Sequence, residues 1–149
     1  MDNNLKREII IDNYENPYHK EKKDKDFIKA NTHNDSCIDN IDLYVKVENG
    51  IIKDAYFDGE ACAITTSATS IMLKKIIGLT IDDARSLMNE YFHMINEEDY
   101  DKNLLGELNA YFDISRQPSR IKCARLPFDT LEKTFKIYEG VKWKIMNYF

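Results

Sequence analysis

The chain is predicted to fold as an α+β protein, with about three antiparallel strands under four to five packed helices. Three observations point there. Ile41-Asp42-Leu43-Tyr44-Val45-Lys46-Val47 alternates in polarity, as a half-buried strand does. Asn49-Gly50 follows it and precedes a second extended stretch, which is the pattern of a hairpin. From Thr65 onward the apolar residues recur at helical spacing. Strands early and helices late gather the helices on one sheet face. The 149 residues suffice for one unit over 1–149 with a core of its own.

Taken in order, Leu5 to Tyr14 reads as a helix with Leu5, Ile9 and Ile10 on one face. It ends before Asn16-Pro17, where proline cannot continue it. Residues 18–40 are polar and without period, which predicts a loop with at most one short turn around Phe27 to Ala30; a third strand finds no definite place. Ile51 to Asp58 is the partner strand, with Ile51, Ala55 and Phe57 on one side. Apolar residues fall on odd numbers in both strands, so same-parity pairing is expected, with Ile41 facing Phe57 and Asp39 facing Gly59. Thr65-Thr66-Ser67 offers N-caps for a helix through about Ile77, stopped at Gly78. Thr80-Ile81-Asp82-Asp83 opens another, with acids in its first turn, running to about Met94. Leu104 to Tyr111 reads as a short helix. The last helix runs to about residue 147 and buries Phe128, Leu131, Phe135 and Tyr138, with Pro127 in its first turn or bending it.

Composition excludes several classes. Net charge is −5 with acid and base mixed, against the basic face that nucleic acid requires. No apolar run approaches the roughly 20 residues of a membrane span, and the first residues lack a secretory apolar stretch. A cytoplasmic protein is expected. There three cysteines stay reduced rather than forming a disulfide framework.

Those cysteines carry the chemistry. They stand as Cys37-Ile38-Asp39, Ala61-Cys62-Ala63 and Lys122-Cys123-Ala124. A hairpin folded at Asn49-Gly50 brings Cys37, Asp39 and Cys62 to the same end of the ribbon. With Cys123 they make three thiols and a carboxylate, the donor number and type for one tetrahedral zinc ion. Alternatively they are three unrelated cysteines and a surface aspartate. Cys123 is expected at or just before a helix N-terminus, beside Arg120 and Lys122, where positive potential favours a nucleophilic thiolate. His33, four positions before Cys37, is a lesser candidate ligand, and His93 is expected to pack or sit at a rim.

These residues resemble a known family. The opening Leu5-Lys6-Arg7-Glu8-Ile9-Ile10-Ile11-Asp12-Asn13-Tyr14-Glu15-Asn16-Pro17 resembles that of the SufU branch of the IscU/NifU-like iron–sulfur assembly proteins. The Cys-x-Asp at Cys37 to Asp39 follows, then Phe57-Asp58-Gly59-Glu60-Ala61-Cys62, the Ser/Thr-rich helix from Thr66, and Arg120-Ile121-Lys122-Cys123-Ala124-Arg125-Leu126. The order is kept over nearly the whole chain. Scaffold-type members carry histidine before the third cysteine, where Lys122 stands here, and a chaperone motif that Gln117-Pro118-Ser119-Arg120 replaces. Ile38 and Ala61 stand where glycine is usual, Phe128 where tryptophan is common, and Pro127 is unexpected.

The resemblance implies a SufU/IscU-like fold, three antiparallel strands under helices. It implies Cys37, Asp39, Cys62 and Cys123 around one metal, usually zinc. It implies a partner, a pyridoxal-phosphate cysteine desulfurase of the SufS type, and downstream iron–sulfur assembly proteins. The function so implied is a zinc-binding sulfur acceptor, an assembly protein rather than an enzyme, though a zinc-dependent sulfurtransferase role fits as well. Cys123 is the expected acceptor. The alternative is a scaffold on which a [2Fe–2S] cluster is built from the same ligands and transferred.

Overall fold

The computed structural model describes residues 1–148. Five α-helices and three strands follow the chain as α1 (Asn3–Glu15), β1 (Ile28–His33), β2 (Asn40–Glu48), β3 (Ile51–Glu60), α2 (Ala63–Ile76), α3 (Ile81–Ile95), α4 (Lys102–Leu105) and α5 (Pro118–Tyr148), with two 3-10 segments (Gly106–Tyr111, Ile114–Arg116) before α5. The antiparallel sheet has the order β1-β2-β3, and the predicted α+β class holds. Its inner face carries Ile41, Leu43, Val45, Ala55 and Phe57, all at most 1% exposed. Against it pack α2 and α5, and the core continues through Leu73, Tyr91, Tyr111, Phe128, Leu131 and Phe135.

The hairpin resolves a conflict within its own sequence. Asn49 (φ 54°) and Gly50 (φ 74°) both take left-handed angles, as a tight two-residue turn requires. That turn pairs Glu48 with Ile51 and Val47 with Ile52, an opposite-parity register. The apolar faces need same-parity pairing. A bulge at Lys53 supplies the change, so that Val45 meets Ala55, Leu43 meets Phe57 and Ile41 meets Gly59. The expected facing of Ile41 with Phe57 is therefore corrected by one pleat. So is the inward residue at the start of β3, which is Ile52 and not Ile51.

Four further corrections follow from packing. The segment expected to be a loop contains β1, because Ile28, Ala30 and Thr32 alternate and present a narrow apolar edge to α5. Thr65 to Ser67 do not cap α2: Cys62 is its N-cap, and Thr65 lies in the first turn. Leu104 to Tyr111 divides into the last residues of α4 and a 3-10 segment. Finally, α5 begins at Pro118, well before Pro127. A first-position proline gives up no hydrogen bond, and the core contacts of Phe128 and Leu131 hold the helix through its second proline.

At the edge of the helical layer, Lys6 of α1 meets Asp113 at 2.7 Å. The Lys6 ammonium holds the Asp113 carboxyl below its ordinary range. This pair stabilises the fold above the usual aspartate pKa, and the contribution is lost as pH falls through the lowered value. Both groups are partly solvated, so Lys6→Met is expected to cost no more than about 1 kcal/mol at pH 7. Urea midpoints should show a difference from wild type at pH 7 that disappears at strongly acid pH.

Candidate metal centre

Three segments converge at one end of the sheet. The chain leaves β1 at His33 and enters β2 at Asn40 through a tight connection, closed by the Asn34 N–H on the Asp39 carbonyl (2.9 Å) and the Cys37 N–H on the Asn34 carbonyl (3.0 Å). That turn presents Cys37 and Asp39. Across the sheet, β3 ends at Glu60, paired with Asn40, and the next two residues carry the chain to Cys62 at the start of α2. The third segment is the second turn of α5, which holds Cys123 over the same spot; the thiol lies inside the helix, not at its N-terminus as the sequence suggests.

One ligand atom from each of Cys37, Asp39, Cys62 and Cys123 lies within 4.8 Å of all the others. A tetrahedral zinc with Zn–S of about 2.3 Å has ligand neighbours about 3.8 Å apart, so the four groups need close by only about an ångström. Cys37 and Cys62 are half-buried, whereas Asp39 (1% exposed) and Cys123 (0%) are buried. All three cysteines are free thiols. His33 is outside the set: it is exposed and meets Asp35 at 3.2 Å. His93 sits at a rim, 3.9 Å from Glu90.

The electrostatics of the four groups suit a bound cation. Asp39 accepts from the Cys62 N–H on Oδ1 (2.9 Å) and from the Thr65 hydroxyl on Oδ2 (2.6 Å). Burial pushes its carboxyl up, but these bonds and the adjacent thiols outweigh burial and hold it below the usual range. It is thus an ionised, buried carboxylate whose partners are all neutral. Burial, then Asp39, then Cys62 push the Cys123 thiol well above its ordinary range. Four such groups cannot all be anionic in so small a space without a counterion. A divalent ion that accepts thiolate and carboxylate together meets that need, and the cluster matches a typical zinc site.

Around the cluster the surface is basic on one side. The Arg120 Nη1 lies 4.0 Å from the Cys37 Sγ. Lys122 and Arg125 line an open cleft of about 620 Å³ with His33, Asn34 and Asp129. Asn34 points its Nδ2 at the Cys123 Sγ from 3.8 Å. Sequence reasoning missed Asn34, and it took Thr65 for a cap. The available signal for Thr65 was its place one turn after Cys62 on α2, on the side that faces the cluster.

The family model described as NifU-like N terminal domain matches residues 5–143. The zinc-dependent sulfurtransferase SufU of Bacillus subtilis is 36% identical over 137 residues, covering 91% of this chain and 92% of that protein. The iron–sulfur cluster assembly scaffold protein IscU of Thermotoga maritima is 40% identical over 103 residues, covering 69% of this chain and 72% of that one. Among solved structures, a putative iron–sulfur cluster assembly scaffold protein for the SUF system from Fervidobacterium islandicum superposes with a TM-score of 0.80. It is 32% identical and covers 84% of this chain and 92% of that one. An antiparallel sheet under helices with a Cys-Asp-Cys-Cys cluster at its end defines the class of IscU/NifU-like domains. This chain belongs to that family, in which SufU is among its named relatives.

Proposed function

We propose that the chain is a zinc-holding sulfur acceptor in iron–sulfur cluster assembly, taking sulfur from the persulfide of a pyridoxal-phosphate cysteine desulfurase. Three thiols and one carboxylate within a single-ion span carry the reading. The 36% identity to a zinc-dependent sulfurtransferase supports it. A [2Fe–2S] scaffold is the lesser reading, because two irons need two ligand pairs held further apart than four donors around one ion. Three free thiols suit a reducing compartment, and we place the protein in the cytoplasm. No helix among the described residues is long and apolar enough to cross a membrane.

Zinc, when bound, supplies the positive charge that keeps the thiols deprotonated and the three segments together. The residues do the rest. A thiolate here attacks the outer sulfur of the donor's persulfide; a new S–S bond forms, the donor's S–S bond breaks, and the donor leaves as its own thiolate. The transfer is redox-neutral, and downstream assembly proteins would receive the sulfur. The fully buried Cys123 and the half-buried Cys37 compete for the acceptor's place. Cys123 has Arg120 and Lys122 as near neighbours in sequence, as expected of an acceptor. Exposure favours Cys37, which sits on a turn with the Arg120 guanidinium 4.0 Å from its Sγ.

The test is to load the wild-type zinc protein with labelled sulfur from a charged desulfurase and map the persulfide by mass spectrometry. Label on the Cys37 peptide is expected. Label on the Cys123 or Cys62 peptide assigns acceptance to that thiol instead, and label on none of the three cysteine peptides rejects the acceptor reading.

A further inference from the structure

Pro127 lies inside α5, where it has no N–H to give the carbonyl four residues earlier. That carbonyl belongs to Cys123. The Thr65 hydroxyl lies 3.1 Å from it. The same hydroxyl is 2.6 Å from the Asp39 Oδ2 and 3.5 Å from the Cys62 Sγ. Thr65 is 0% exposed, so water does not substitute for it. One side chain therefore touches three of the four ligand residues, which arrive from the turn before β2, the start of α2 and α5. The next carbonyl of α5, on Ala124, accepts from the Tyr91 hydroxyl at 2.9 Å, so the turn that carries Cys123 is held from two sides.

We propose that Thr65, together with the backbone carbonyl that Pro127 frees, is the positioning element of the metal centre. A hydroxyl carries one proton and two lone pairs. The proton goes to the Asp39 carboxylate, at a distance typical of a charge-assisted bond, with the Cys123 carbonyl as the longer, shared acceptor. That fixes the Asp39 rotamer with lone pairs left for a cation. It also sets the rotation of α5, and with it the direction of the Cys123 thiol. An ordinary residue at 127 would supply an N–H to the Cys123 carbonyl and uncouple α5 from Thr65. The unexpected proline and the misread threonine are thus two halves of one device. The inference rests on the zinc reading above.

The experiment is zinc affinity, read by competition with a chromophoric chelator, for wild type, Thr65→Ser, Thr65→Val, Pro127→Ala and the Thr65→Val/Pro127→Ala pair. Thr65→Val is expected to weaken zinc about 10- to 100-fold, as outer-shell losses do, and Thr65→Ser to restore wild-type affinity. On the Pro127→Ala background Thr65→Val should cost less, because residue 127 then satisfies the Cys123 carbonyl; the cycle should be non-additive. Equal losses in Thr65→Ser and Thr65→Val, or strict additivity, would overturn the proposal. In the wild-type zinc protein the Thr65 hydroxyl proton should appear as a slowly exchanging resonance correlated with Thr65, and its absence overturns the proposal even where Thr65→Val does not fold. Wild type that takes up no zinc at all rejects the metal reading itself, a result distinct from any pattern among the variants.

Discussion

Gly59→Ala is expected to lower stability by about 2–6 kcal/mol, from backbone strain and overpacking together. Gly59 has φ of 123°, a conformation L side chains rarely adopt. A Cβ there would sit 2.2 Å from the Asn40 carbonyl oxygen and 3.1 Å from the Ile41 Cα. Both are backbone atoms of β2, so no rotamer change relieves the clash. The strands would have to part where Ile41 pairs with Gly59. That loss is a large share of the roughly 5–15 kcal/mol by which domains are stable. It would also fall on the site, since Asp39 lies just before β2 and Cys62 just after β3. Urea unfolding and zinc competition should therefore report together, with a lower midpoint and weaker metal. Gly140→Ala is the control. It lies inside α5 with nothing within 4 Å of an added Cβ, and should stabilise by about 0.5–1 kcal/mol, the helix-interior cost of glycine relative to alanine. Equal effects at the two positions would refute the argument from close approach.

The parts legible in the sequence were those where a local pattern and the tertiary structure agree. The alternation of β2, the Asn49-Gly50 turn and the Thr80 cap of α3 are of this kind, the last with its hydroxyl accepting from the Asp83 N–H at 3.0 Å. Cys37, Asp39 and Cys62 could be brought together because a hairpin constrains both of its ends. The errors arose where tertiary contacts decide. β1 has one narrow apolar edge and polar residues otherwise, so its strand state comes from pairing with β2 and cover by α5. The bulge at Lys53 could not be read, since it answers two demands that lie at opposite ends of the same hairpin. Pro127 reads as standing in the first turn of the helix or bending it, and only the packing of Phe128 and Leu131 against α2 and α3 explains why the helix passes through it. The expectation of Cys123 at a helix N-terminus followed from that reading, as did the expectation of a helix dipole acting on its thiol, whereas Cys123 lies inside α5.

Asp39→Ala and Asp39→Asn are expected to agree in one measurement and part in another. Both should weaken zinc by more than about 100-fold, beyond the range of outer-shell losses, because an anionic ligand is gone. Their metal-free stabilities should differ. Alanine leaves the half-buried Cys62 N–H, now 2.9 Å from Oδ1, without its acceptor, a cost of up to about 1–3 kcal/mol. Asparagine keeps that acceptor. Its amide N–H₂ then meets the Thr65 oxygen, and the Thr65 hydroxyl turns its single proton to the Cys123 carbonyl 3.1 Å away. The neutral network is complete, and Asp39→Asn should unfold in urea within about 1 kcal/mol of metal-free wild type. Wild type and Asp39→Asn also separate with pH. Because the Asp39 carboxyl is held below its ordinary range, its contribution is present above the usual aspartate pKa and lost as pH falls through the lowered value. Asp39→Asn has no such group, so its metal-free stability should fall less steeply on the acid side. If asparagine proved as destabilising as alanine in the absence of metal, the Thr65 hydroxyl would not be free to turn. The three-way junction of Asp39, Thr65 and the Cys123 carbonyl would then be a rigid packing contact rather than a hydrogen-bonded one.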